Sequence, residues 1–150
     1  MKRTWIDIKG RDCNGCTKCC EGYLVTNVSG MEIGPGKGPC KFVRKNDGCS
    51  IHLARPYDPC KTFQCHWKEN SNIPEWLKPS KVNAIMVLRI LDQFNYIRIV
   101  KAGINQDPKI YEWAEAQSKE GKNIIAYNDF GKLLVYSQDK NFIDLAKKRL

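Results

Sequence analysis

Eight cysteines fall between residues 13 and 65 of a 150-residue chain, and none follows. Cys13, Cys16, Cys19 and Cys20 stand in the run CNGCTKCC. Cys40, Cys49, Cys60 and Cys65 come next, separated by loops of eight, ten and four residues. Thiolates hold zinc in closed tetrahedral sites and hold iron-sulfur clusters, and short spacings let a loop wrap an ion. Cys13-x2-Cys16-x2-Cys19 and Cys16-x3-Cys20 give two overlapping ways to clamp a metal. Neighbouring side chains diverge in extended backbone, so Cys19 and Cys20 are expected to serve different ions or different faces of a binuclear group. Eight thiolates match two four-cysteine sites, with the first four residues contributing to both and the later four completing them. The spacing leaves the pairing open. His52 and His66, the only histidines, lie in the same region. Each is a candidate nitrogen ligand in place of a thiolate, and His66 is the better one because it abuts Cys65. The alternative for both is a packing or solvated histidine.

Zinc is favoured as the metal, two ions in all, because it accepts four thiolates without special loading chemistry. An iron-sulfur cluster is the alternative cofactor, but neither CxxxCxxC nor the ferredoxin-type C-x2-C-x2-C-x3-C-P run is present. A disulfide scaffold would need an exported chain. MKRTWIDIKGRDC has no apolar run after its basic residues, so no signal peptide is expected and a cytoplasmic location is. AIMVLRIL is too short to span a bilayer and is broken by Arg89, so no membrane segment is expected.

The net charge is +9. Residues 1–79 carry 13 basic and 8 acidic side chains, and residues 80–150 carry 12 and 8, so the excess is spread evenly. A zinc held by four thiolates is formally negative by two, and two such sites would bring the effective charge to about +5. That weakens, without removing, the case for nucleic acid drawn from aromatics near basic residues in FVRK, CHWK and NYIRIVK.

The elements that must position the cysteines differ between the two halves. Residues 1–79 form a cysteine-rich region of turn formers. VSGMEIGPGKGPCK holds four glycines and two prolines in fourteen residues. Such a stretch has little apolar mass and needs metal or another constraint to fix it. Trp5, Ile6 and Ile8 suggest a short first strand, and Tyr23, Leu24 and Val25 are expected beside the first cysteines. Trp67 and Trp76 are expected to cover the metal core and link it to the second half. Residues 80–150 read as a small α/β region. KVNAIMVLRI and NYIRIVKAG suggest paired strands, with a helix over 81–94 as the alternative. DPKIYEWAEAQSKEG suggests a helix capped by Asp107, with Pro108 in its first turn, Gly121 at its end, and Ile110, Trp113, Ala114 and Gln117 on one face. NIIAYND and KLLVYSQ suggest strands around a DFG turn, and NFIDLAKKRL a closing helix with basic residues in its last turn. The fold class is α+β. An irregular, metal-stabilised N-terminal half is expected to pack, as one globular unit, on a hairpin/helix/hairpin/helix C-terminal half. Asp129 to Gly131 is no kinase signature, since the Gly-rich loop and HRD motif are absent. GPGKGP lacks the GxxxxGK[ST] register of a phosphate loop.

CNGCTKCC followed by PCKFVRKNDGCSIHLARPYDPCKTFQCHW resembles the zinc- or iron-chelating cysteine-cluster family called YkgJ-like. The likeness lies in CxxCxxCC, a later PC and GC, Arg55-Pro56 ahead of Cys60, and Phe63-x-Cys65, and it covers roughly residues 11–67. His52 stands where that family more often has Tyr. The resemblance implies metal chelation by the eight cysteines. Some related clusters accompany protein lysine methylation, but no nucleotide or S-adenosylmethionine loop is recognisable here. The expected function is thus a thiolate-ligated, structural zinc supporting interaction with a protein partner. One alternative is an iron-sulfur or open-site metalloenzyme drawing on His52, His66, Asp58 and Arg55, which form no hydrolase pattern. The other is a zinc-dependent nucleic-acid-binding protein.

Overall fold

A computed structural model of the chain describes residues 16–44, 48–51, 54, 58, 60 and 65–150. The first strand expected at Trp5, Ile6 and Ile8 lies outside these residues. The fold is mixed α+β.

Strand alternation builds the second half. Pro79–Val82 forms a single helical turn, α2, and Asn83 ends it by adopting a left-handed conformation (φ 55°, ψ 40°). The chain then enters β5, Ala84–Leu91, which pairs antiparallel with β6, Phe94–Lys101, from Ala84↔Lys101 to Leu91↔Phe94. A strand wins over the alternative helix at 81–94 because Ala84, Ile85, Met86 and Val87 are all buried, and successive strand side chains supply both covered faces.

The next helix, α3, spans Lys109–Lys119. Asp107 accepts the Lys109 N–H at 3.0 Å, as its capping position suggests, and Pro108 sits one place ahead of the first helical residue. Ile110, Trp113, Ala114 and Ser118 form the buried stripe. Ser118 replaces the expected Gln117 because a 3.6-residue period places the fourth contact at either position. Gly121 (φ 93°) ends the helix, donating to the Ser118 carbonyl while Lys122 donates to that of Gln117.

β7 (Ile124–Tyr127) then lies parallel to β6, with Ile97 opposite Ile124, and β8 (Leu133–Tyr136) returns antiparallel. The two expected hairpins thus belong to one sheet, ordered β5-β6-β7-β8. The α3 crossover joins them, as parallel neighbours require. The last helix, α4, spans Lys140–Arg149 and starts where Asp139 accepts the N–H groups of Asn141 and Phe142.

The two sheet faces carry different helices. Ala84, Met86, Ile97, Ile99, Ile124 and Ala126 pack with Ile110, Trp113 and Ala114 of α3. Trp67, Ile73 and Leu77 join this same cluster. Tyr96 and Ile125 face the other way, against Phe142 and Ala146 of α4.

The first half has only short elements. β1 (Thr26–Val28) and β2 (Met31–Ile33) form a hairpin through Ser29 and Gly30, both at positive φ. β3 (Val43–Arg44) pairs with β4 (Gly48–Cys49). Val28, Ile33 and Cys40 form a small buried apolar cluster here, and Thr17 and Lys18 are buried as well. Of the three apolar residues expected beside the first cysteines, Tyr23 and Leu24 are half-buried, and the Lys18 ammonium lies 5.9 Å from the Tyr23 ring. Val25 departs from that expectation: it is 86% exposed, in the bend before β1.

Candidate metal centre

The thiols are positioned by turns. Cys19 and Cys20 sit in a 3-10 turn, Lys18–Cys20, closed by the Cys20 N–H donating to the Thr17 carbonyl at 2.9 Å. Their sulfurs lie 3.9 Å apart. The expected divergence belongs to extended backbone; a 3-10 turn rotates successive side chains by about 120°, so neighbours can converge. Two sulfurs sharing a tetrahedral zinc at ~2.3 Å are separated by about 3.8 Å. The Cys19–Cys20 spacing therefore suits shared ligation.

The second segment comes to the first through glycine. The Cys40 N–H donates to the Cys20 carbonyl at 2.9 Å. This contact is possible because the turn from Gly34 to Gly38 passes against Gly22, where a Cβ would stand 2.9 Å from the Gly38 carbonyl oxygen. Gly22 also has φ +98°, so any other residue would be strained there as well as blocked. The glycines of GPGKGP thus bend the chain toward Cys40. Cys40 is buried in the small apolar cluster, and Cys20 and Cys60 pack against it. Cys49 lies across the ladder from Val43, which packs on the same cluster. Cys65 stands apart. It precedes α1 (His66–Glu69) and packs against the large cluster beneath the sheet.

Cys16, Cys19, Cys20, Cys40, Cys49, Cys60 and Cys65 carry thiols that are not joined in disulfides. Among the described residues, no three Cys, His, Asp or Glu side chains stand at metal-holding spacing. Cys13, His52 and Arg55 lie outside the described residues, and Asp58 is exposed. His66 is buried on α1, with Nε2 3.4 Å from the Asn70 amide nitrogen and Nδ1 3.6 Å from a Glu69 carboxylate oxygen. It lines a cleft of about 260 Å³ with Asn70, Leu88, Tyr96 and Asn123. The two tryptophans separate in role. Trp67 is buried in the sheet cluster, whereas Trp76 is 37% exposed and lines a surface groove with Lys81 and Glu112. Neither belongs to the small cluster that Cys40 shares with Val28 and Ile33: Trp67 packs beneath the sheet, and the 3-10 turn of Trp76 leaves its ring at the groove wall.

Compared with protein-family models, curated proteins and solved structures, the chain matches none.

Two contributors escape cysteine spacing. Thr17 is buried, and its hydroxyl donates to the Glu21 carboxylate at 2.6 Å, which braces the 3-10 turn. Gly22 allows the close approach just described. A Thr with an acid four residues on, followed by Gly, was the readable signal for both.

The Cys19 thiol hydrogen bond lowers the Cys20 pKa to about 7 from 9.0, against opposing pushes from burial and from Glu21. A depressed acid favours the folded state most when ionised. Its stabilisation is fully present above pH 9 and is lost as pH falls through 7.

Proposed function

We propose that this protein binds metal through cysteine thiolates, with zinc as the ion, two ions per chain, and a structural role that supports interaction with a protein partner. One observation carries the reading. Cys20, Cys40 and Cys60 converge on one small apolar cluster, and Cys19 and Cys20 hold their sulfurs at 3.9 Å, a spacing suited to a shared tetrahedral ion. The residues fit such an ion chemically: they are thiols, and a backbone hydrogen bond from Cys40 to Cys20 links two of their segments.

Cys13, Cys16, Cys19, Cys20, Cys40, Cys49, Cys60 and Cys65 would be the ligands. Zinc, when bound, supplies folding free energy to a region that buries little apolar surface. The chain's own part is to hold the thiols together. The Thr17–Glu21 brace fixes the first turn, Gly22 and Gly38 admit the second segment, and Cys65 ties the ligand set to the sheet. Ligation requires thiolates, so affinity falls in acid.

The test is elemental analysis with a UV-visible spectrum on full-length protein made with both zinc and iron supplied, and purified anaerobically. About two zinc ions per chain and no visible absorption are expected. Stoichiometric iron with charge-transfer bands would replace zinc by the iron-sulfur alternative. Protein that retains neither metal would overturn the proposal.

A further inference from the structure

Two large apolar side chains are held in water at one end of the sheet. Ile104 is 93% exposed and Phe130 is 94% exposed. They occupy different loops, but β6 and β7 run parallel, so the segments leaving their C-terminal ends emerge together. The Lys101 ammonium at the end of β6 pairs with the Asp129 carboxylate beside Phe130, which ties the two loops side by side.

Both loops are braced. Gln106 donates to the Gly103 carbonyl at 2.6 Å, and Asn83 donates to the Asn105 carbonyl at 2.9 Å, so Ile104 stands at the apex of a fixed turn. Asn128 accepts the N–H groups of Phe130 and Lys132, each at 2.9 Å, and Gly131 adopts φ 75°. Phe130 is thereby presented at a second apex.

We propose that this end of the sheet docks on an anionic lipid bilayer, with Ile104 and Phe130 entering the interfacial region. The choice of occupant follows from the arrangement. A protein interface has a contiguous desolvated centre. Here the two apolar tips belong to separate loops that the Lys101–Asp129 ion pair joins. A bilayer surface has no fixed shape to complement, and it accepts isolated apolar anchors while polar groups remain among the headgroups. The two segments, residues 101–109 and 128–132, carry three lysines against two aspartates, with Lys109 and Lys132 exposed, and this positive excess favours anionic headgroups. The inference uses no cysteine and does not depend on the metal reading.

The test is co-sedimentation of the full chain with vesicles of phosphatidylcholine alone or with 30% phosphatidylserine added. Binding is expected only to the anionic vesicles at low salt, and should weaken as salt rises. The double variant Ile104→Ser, Phe130→Ser should bind about tenfold more weakly. Its circular dichroism should be unchanged, since both side chains are exposed. Val25→Ser removes an equally isolated apolar side chain far along the chain, in the cysteine-rich half, and should bind as the parent does. No binding of the folded parent to anionic vesicles would overturn the proposal, as would undiminished binding of the double variant. Equal weakening by Val25→Ser would also overturn it.

Discussion

Replacing Cys40 by Ser is expected to release metal and unfold the cysteine-rich half while leaving the sheet intact. Cys40 is 7% exposed, lies in the small cluster with Val28 and Ile33, and donates its backbone N–H to the first cysteine turn. The small cluster of Val28, Ile33 and Cys40, even with the partly buried residues packed on it, is slight against the conformational entropy of ordering a segment of this length, at about 1–2 kcal/mol per residue for backbone alone. On the proposed reading zinc ligation supplies the difference, since structural zinc is worth about 10–16 kcal/mol in small peptides. Loss of one thiolate should therefore cost far more than its packing. Hydrogen exchange with bound zinc measured on the same sample reads both effects. Protection should vanish over 16–44 and persist in β5, β6 and α3. Full zinc content with native protection over 16–44 would refute a structural role for Cys40.

The second large effect is expected at Trp67. Its ring is 3% exposed and sits among Ile73, Leu77 and the sheet residues. Its indole N–H donates to the Glu75 carbonyl at 3.3 Å, and the Lys78 ammonium lies 5.6 Å from the ring centre. Trp67→Ala should remove about 3–5 kcal/mol of stability through the cavity it leaves. That is a large part of the ~5–15 kcal/mol that holds a domain together. Thermal unfolding should move down on the order of 10 °C. Metal retention should fall too, because Cys65, two residues earlier, packs on the same cluster. Trp76→Ala, at a partly exposed ring, should cost under about 1 kcal/mol. Equal losses from the two substitutions would refute this division of roles.

These tryptophans show what the sequence makes readable. Trp67 and Trp76 look alike as letters, nine positions apart in a segment of short turns. Only the presence of a sheet opposite one of them separates a core residue from a groove wall. The second half is more legible because its signals are local. Asp139 before an amphipathic run, Gly121 after one, and alternation through β6 each act within a few residues. The pairing of β6 with β7 is not local. It depends on α3 burying Ile110, Trp113 and Ala114 on one face, which returns the chain beside β6 and not to a separate hairpin. At the cysteines, residue types are plain while directions are not. Whether Cys19 and Cys20 converge depends on the turn that Thr17 and Glu21 brace, and no periodicity records that.

The attachment of Cys65 to the cluster beneath the sheet has a consequence for the order of assembly. The sheet and the Trp67–Leu77 segment share a core apart from the small cysteine cluster, so on this reading they form before any ion is captured. Cys65 is then anchored on a finished surface while the other thiols still belong to a searching chain. Anchoring one end turns ligand capture into closure of a single loop, whose entropic cost grows only slowly with length. It also narrows the wrong combinations among eight similar ligands. The sheet would act as a template on which a metal-dependent segment folds late, and the speed of zinc uptake would depend on how firmly Trp67 holds Cys65 in place.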